Sequence, residues 1–370
     1  MRTDGGNART ILVAAGGTGG HIYPGIAVAD ELRRRDPSLR VLFVGTRKGL
    51  ESRIVPKAGY PLELLPILPL VGVGPRRTMQ GLLALPRGLL RAAAVVRRER
   101  PEAVLGIGGY VGGPVVLAAA LMGVRTVILE PNATPGFTNR VLKPFVRHAA
   151  CAYDEARREF GPKGVLTGDP VRGGFAALPR KEHRPPYTLL VFGGSQGSRA
   201  LNQAMVLALR HLPGRDVLRI VHQTGEAMHA EVGAAYAAAG REDEVLSFVD
   251  DMDARFAAAD LVVCRSGATT CAELTAAGKP SILVPFAKSA GDHQRVNARA
   301  LEYAGAAHVI EEKQLSGFAL ADMVMETLEA PERLSAMEDA ARRLGRPDAA
   351  ARVADLLEGK GRPAMGGASG

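Results

Sequence analysis

Twice this chain runs through the same short order of an apolar stretch, a glycine-rich turn and a segment with helical spacing. Ile11 to Ala15 leads into Gly16 to His21 (GGTGGH), and Thr188 to Phe192 leads into Gly193 to Ser198 (GGSQGS). A short, wholly apolar run predicts a strand buried on both faces, as in a parallel sheet covered by helices. Further strands are predicted at Val41 to Val44, Ala103 to Ile107, Thr126 to Leu129 and Ala149 to Ala152, and in the second half at Val217 to Val221, Val245 to Phe248, Leu261 to Val263 and Ser281 to Val284. This alternation predicts an α/β fold of two Rossmann-like domains facing across a cleft. Residues 1–178 form the first domain, 179–186 a polar, proline-containing linker, 187–358 the second domain, whose last helix either stays with it or packs back on the first, and 359–370 a loose tail.

The 370 residues suit two domains of roughly 150 residues each. With 46% hydrophobic and 23% charged residues the chain can build cores and is not disordered. The balance of 47 basic against 38 acidic residues, a net +9, favours anionic partners such as phosphates or acidic lipid. Aromatics at 5% and no Trp argue against a base-stacking surface, so no nucleic-acid partner is expected. Cys151, Cys264 and Cys271 have neither disulfide nor zinc spacing, which points to a reducing cytoplasm. The apolar run near the N-terminus is shorter than a signal-peptide core. The longest uncharged stretches, Leu64 to Gly74 and Pro114 to Val124, are about half of the roughly 20 residues that span a bilayer, so membrane association is expected to be peripheral.

The glycine turns carry the chemistry. GGTGGH ends a strand and opens a helix, so its amides can hold an anion or polar oxygen, or it is a tight turn with no ligand. The second strand ends in Gly45-Thr46-Arg47, without the acidic residue of a dinucleotide site, and no P-loop occurs. His21, at a helix N-terminus, is held neutral and can accept a proton, or is structural. Gly106 to Pro114 (GIGGYVGGP) has five glycines in nine residues, which implies a close approach to the backbone or a helix-packing turn. In GGSQGS, Ser195 and Gln196 can donate beside amides suited to a diphosphate. Glu273, after Arg265 to Thr270, suits ribose hydroxyls, or is a first-turn helix acid. The D-x-D of Asp251 and Asp253 reads as a helix cap ahead of a metal ligand, and with no metal-type histidine spacing no metal or other cofactor is expected. Pro75 to Arg100 carries seven Arg against one Glu among leucines and valines. With Pro86 as the helix start, Arg87, Arg91 and Arg98 share one face and Leu89, Ala93 and Val96 another, either an interfacial helix on anionic lipid or a surface helix packed on the sheet.

Eight segments in order, GGTGGHIYPGIAVA, GIGGYVGGP, EPNATPGFTNRVL, GGSQGSRALNQ, HQTG, FVDDM, CRSGATTCAE and DHQRVNA, resemble the MurG glycosyltransferases of bacterial cell-wall synthesis, from about residue 10 to about 310. The resemblance implies the GT-B fold, with UDP-N-acetylglucosamine bound by the C-terminal half and a lipid-linked acceptor by the N-terminal half. It carries over donor-site roles to Arg172, Ser195, Gln196, Val249, Ala268, Thr269, Thr270, Glu273, His293 and Gln294, with Thr18, Gly19, His21 and Asn132 lining the cleft. Tyr110, Arg76, Arg77, Arg87, Arg91 and Leu89 are assigned to the acceptor and membrane side. This chain departs from the family pattern at Leu129, Pro131, Asp169, His293 and Thr269. The reaction implied is inverting transfer of N-acetylglucosamine to the 4-hydroxyl of undecaprenyl-diphospho-muramoyl-pentapeptide, with His21 as proton acceptor, at the cytoplasmic face of the cell membrane. Cell-wall biogenesis, cell shape and cell division are the processes implied. Alternatives on the same fold are a UDP-N-acetylglucosamine 2-epimerase, which needs no second substrate, a diacylglycerol glycosyltransferase, and a non-catalytic sugar-nucleotide sensor.

Overall fold

The computed structural model describes residues 9–47, 49–67, 75–287, 289 and 292–360, and only the backbone of 75–84. Two units divide the chain, residues 1–172 with 348–370, and residues 173–347.

The first unit runs β1 (Thr10–Ala14), α1 (Gly19–Arg35), β2 (Arg40–Gly45), α2 (Glu51–Lys57), β3 (Leu62–Leu64), α3 (Pro75–Glu99), β4 (Ala103–Gly106), α4 (Gly109–Leu121), β5 (Arg125–Glu130), α5 (Phe137–Leu142), β6 (His148–Cys151), α6 (Asp154–Phe160) and β7 (Gly164–Leu166). The seven strands are parallel in the order β3-β2-β1-β4-β5-β6-β7, so the winding reverses between β1 and β4. Alternation along β1 sends Ile11 and Val13 into one core with α1, and Leu12 and Ala14 into another with α3 and α4, which is why the run carries no polar residue.

The second unit runs α7 (Gly173–Ala176), β8 (Tyr187–Phe192), α8 (Arg199–Ala208), β9 (Leu218–Gln223), α9 (His229–Ala238), β10 (Glu244–Leu246), α10 (Met252–Ala258), β11 (Leu261–Cys264), α11 (Ala268–Ala277), β12 (Ser281–Leu283), α12 (His293–Tyr303), β13 (Ala307–Val309), α13 (Gly317–Leu328) and α14 (Pro331–Leu344). Its parallel order is β10-β9-β8-β11-β12-β13, reversing between β8 and β11. Leu189 and Val191 pack under α8 and α13, while Phe192 meets Phe256 of α10, which in turn stacks edge-on against Phe175 at 4.9 Å.

The linker and the start of α3 differ from the sequence reading, and the last helix takes one of its two expected places. The expected linker is packed into the second unit, because Lys181 and His183 pair with the buried Asp260 at 2.6 and 2.9 Å. α15 (Ala349–Glu358) belongs to the first unit, where Val353, Leu356 and Leu357 join the α1 core and Arg35 bonds Asp355 at 2.6 Å and Glu358 at 2.9 Å. Pro86 lies inside α3 and does not start it. Of the expected tail, residues 361–370 lie outside the described residues.

Candidate active site at the strand ends

In doubly wound sheets ligands sit at the carboxyl ends of the strands flanking the reversal. In the first unit those strands are β1 and β4, and the loops leaving them are GGTGGH and GIGG. His21 stands in the first turn of α1, half-buried, with Nδ1 3.2 Å from the Gly16 carbonyl oxygen. In the neutral ring Nδ1–H donates to that oxygen and Nε2 is left as the basic nitrogen. Burial lowers the imidazole pKa, opposed by the Gly16 bond and by Glu51, so the main cause of the neutral form is desolvation. Gly108 has φ +56°, which calls for glycine, and a Cβ on it would stand in van der Waals contact with the ring, 3.4 Å from Nε2 of His21. The loop after β4 thus packs against the protein's own histidine.

Glu51, fully buried, was missed by motif reading. Its Oε1 accepts from the Thr46 amide at 2.8 Å and the Thr46 hydroxyl at 2.9 Å, and its Oε2 accepts from the Gly17 amide at 3.0 Å. Tyr110 Oη lies 3.2 Å from Thr46 Oγ1, so Tyr110 is tied to the same loop. Thr18 is exposed at the N-cap of α1 and Gly19 is buried behind it. Asn132 is oriented by the buried Glu130, whose Oε1 accepts from its amide at 3.0 Å and its side-chain nitrogen at 3.2 Å. The other oxygen of Glu130 takes Gly136 N–H and Asn139 Nδ2–H, each at 2.9 Å, so one carboxylate shapes the whole 130–139 turn. Arg172, carried over as a donor contact, falls in the first unit with its guanidinium 4.3 Å over the Tyr23 ring.

In the second unit the strands at the reversal are β8 and β11, and their loops hold the remaining residues. Gly197 N–H closes a turn onto Gly194 O at 2.8 Å, which places Ser195 and Gln196 at its tip. Gly197 has φ +73°, and a Cβ there would run into the Thr224 carbonyl, so glycine is required. Ser198 caps α8 by accepting from Leu201 N at 3.4 Å. Arg265 donates to that same hydroxyl at 3.0 Å, to the carbonyls of Val284 and Pro285 at 3.1 Å each, and pairs with Glu312 at 2.6 Å. One guanidinium therefore staples three loops, a role the motif spacing did not reveal. Ala268 and Thr270 are half-buried and Thr269 buried at the start of α11. Glu273 is 7% exposed in the second turn of that helix, so the first-turn reading is set aside. Gln294 Oε1 accepts from Phe286 N at 2.9 Å, beside the half-buried His293. Val249 is buried after β10, and Asp251 is the N-cap of α10 without a side-chain cap bond.

Of the residues expected on the acceptor and membrane side, Leu89 faces inward: α3 turns Ala92, Val95 and Val96 into the core with Leu89 packed against them. Leu90 takes the outward place at 73% exposure, between the exposed Arg87 and Arg91. The side chains of Arg76 and Arg77 lie outside the described residues. Among the described residues no helix is long and apolar enough to cross a membrane, and no cluster of three or more His, Cys, Asp or Glu could hold a metal.

Two doubly wound sheets, each with a pair of glycine-bearing loops at its reversal, define an α/β protein built from two Rossmann-like units. Residues 11–151 match the glycosyltransferase family 28 N-terminal domain and residues 188–353 the glycosyltransferase family 28 C-terminal domain. The chain belongs to glycosyltransferase family 28. It is 49% identical over 350 residues, 94% of its length and 91% of the other's, to the UDP-N-acetylglucosamine--N-acetylmuramyl-(pentapeptide) pyrophosphoryl-undecaprenol N-acetylglucosamine transferase of Myxococcus xanthus strain DK1622. Among solved structures, Acinetobacter baumannii MurG matches with a TM-score of 0.74 and 30% identity over 95% of this chain and 99% of that one. A UDP-N-acetylglucosamine 2-epimerase matches with a TM-score of 0.65 over 94% and 95% of the two chains, but at 12% identity it shows the fold alone.

Proposed function

We infer that this chain is an N-acetylglucosaminyltransferase that moves the sugar from UDP-N-acetylglucosamine to the undecaprenyl-diphospho-muramoyl-pentapeptide acceptor of peptidoglycan synthesis. The observation that carries this is the 49% identity, across 94% of the chain, to a protein bearing that name. The distant epimerase likeness gives no comparable support.

The mechanism we propose is a single inverting displacement. On the acceptor side, Nε2 of His21 takes the proton of the 4-hydroxyl as its oxygen attacks the anomeric carbon; the bond to UDP breaks and UDP leaves with the electron pair. Desolvation keeps the imidazole neutral for this, and Gly16 fixes its tautomer. Asn132, set by Glu130, stands at the carboxyl end of β5, the strand next to β4. On the donor side, the amides of the Ser195 turn and the N-terminus of α11, with Ala268, Thr269 and Thr270, offset the charge on the departing diphosphate, and in this scheme no metal is required. Val249 is assigned to the uracil, Glu273 to the ribose and His293 with Gln294 to the sugar. The exposed Arg87, Leu90 and Arg91 on α3 serve peripheral attachment to the cytoplasmic face of an anionic membrane. UDP release measured with and without the lipid-linked acceptor tests the assignment. Acceptor-dependent release is expected; donor consumption without acceptor, giving an epimerised sugar nucleotide, would replace it with the epimerase reading.

A further inference from the structure

All strands of the first sheet run the same way, so its ends differ. The glycine loops close the carboxyl end; at the other end Arg125 opens β5, His148 opens β6 and Lys163 precedes β7. A cavity of about 820 Å³ lies there, with Phe145 and Val146 in its apolar wall and Arg125, Arg147, His148 and Lys163 around it. No carboxylate is among the described residues that line it.

Two of the cations are held in place without being neutralised. Arg125 donates from Nη1 to the Leu357 carbonyl at 2.8 Å, and Lys163 from Nζ to the carbonyls of Lys143 and Pro144 at 2.9 and 2.8 Å. Carbonyl acceptors fix position and leave the positive charge standing. Arg147 is exposed and makes no ion pair among the described residues. His148 adds an independent sign: its Nδ1 is buried with no hydrogen-bond partner in the described structure. Burial, then Arg147 and Arg125, disfavour its charged form. Buried polar atoms are normally paired; with the proton on Nδ1 the neutral ring donates, and an anionic acceptor there would take that hydrogen bond and offset the charges of Arg125 and Arg147.

We propose that this cavity, at the end of the first sheet opposite its glycine loops, is a second ligand site for a phosphate ester: the phosphate oxygens meet Arg125, Arg147 and His148, and the uncharged body lies against Phe145 and Val146. The space exceeds that of a bare ion, and the apolar wall favours a ligand with more than a phosphate. The phosphate comes either from a soluble ester or from the headgroup of an anionic phospholipid. The site does not depend on the transferase reading.

The test uses the full chain with labelled histidine, following the His148 imidazole resonances by NMR at physiological ionic strength. One arm titrates sn-glycerol 3-phosphate; the other adds phosphatidylcholine vesicles with or without phosphatidylglycerol and measures binding by co-sedimentation. Saturable shifts with the soluble ester support the site with a soluble source. Binding only to phosphatidylglycerol vesicles supports it with a headgroup source. In either case R125Q/R147Q weakens binding at least about tenfold, whereas R184Q/R219Q, an equal charge change on exposed positions of the second unit, does not. R147Q alone, which removes no described contact, serves where the double variant melts early. Absence of binding in both arms, or equal loss in the charge-matched control, overturns the proposal.

Discussion

Oε2 of Glu51 lies 3.0 Å from the amide nitrogen of Gly17, joining the start of α2 to the loop that carries His21. Because Gly16 O in turn receives Nδ1–H of His21, the carboxylate reaches the imidazole through a single backbone segment. Glu51→Gln leaves an acceptor for Thr46 but presents an NH₂ group, or loses an acceptor, at Gly17. A cost of about 1–3 kcal/mol in stability is expected from the buried mismatch. Turnover should fall more than the affinity for UDP-N-acetylglucosamine, as read by steady-state kinetics beside calorimetric donor binding.

His21→Ala should lower kcat by about 10²–10⁴ while donor binding changes little. Since burial lowers the imidazole pKa, the acid limb of the wild-type pH profile for kcat/KM should fall below the ordinary imidazole range, with a plateau through neutrality. A profile that titrates above that range, or near-normal turnover in the variant, would remove His21 as the base.

Arg265 joins the Ser198 cap to Pro285 and Glu312, so its loss should act on donor binding. Arg265→Ala strands a mostly buried partner and should cost about 3–5 kcal/mol of second-unit stability. Arg265→Lys retains the charge without the fork, and the expected result is a raised KM for UDP-N-acetylglucosamine with a smaller change in melting temperature.

The Lys181, His183, Asp260 and Glu338 cluster sets a pH window for stability. Burial works against charge on His183, but bonds to Asp260 and Glu338 outweigh it and raise its pKa. Burial also opposes ionisation of Asp260 and Glu338, yet His183, with Lys181 and Arg342 respectively, brings both below their ordinary values. The histidine contribution is complete below its unfolded pKa of about 6.5 and fades as pH rises through the raised folded value. The carboxylate contributions are present above about 4 and are lost as pH falls through the lowered values. Thermal melts should therefore peak between about pH 4.5 and 6.5, and His183→Gln should abolish the decline on the alkaline side.

The outward face of α3 can be separated from chemistry. Leu90→Asp and the pair R87E/R91E should weaken co-sedimentation with phosphatidylglycerol vesicles, by about 1 kcal/mol per arginine removed from the surface, while turnover on a detergent-dispersed acceptor is retained.

Much of this was legible in the chain because the grammar of each half is local. Ile11 to Ala15 and Thr188 to Phe192 announce strands by lacking any polar residue at a two-face-buried position, and the glycine turns mark the ends that bear ligands. The short edge strands Leu62–Leu64, Gly164–Leu166 and Ala307–Val309 were missed because three residues cannot show a period. Glu51 and Arg265 were missed as site builders because their partners are backbone atoms or residues far along the chain, and Glu130 because its partners Asn132 and Asn139 follow it in a turn that shows no period. Glu51 opens α2 in the manner of any first-turn acid; only its burial against Gly17 and Thr46 shows its task. Leu89 and Leu90 are both plausible outward leucines on a helical wheel, and the rotation of α3 against α4 decides between them.

The helix at residues 349–358 lies in the unit where the chain began. During synthesis, the N-terminal sheet must wait with one apolar flank uncovered until some 180 further residues, counting from 172 to 358, have left the ribosome, whereas residues 173–347 form a contiguous body that can finish first. The unit that comes first along the chain is thus the last to mature, and a truncation that removes Leu356 and Leu357 would leave it open to chaperones and proteases.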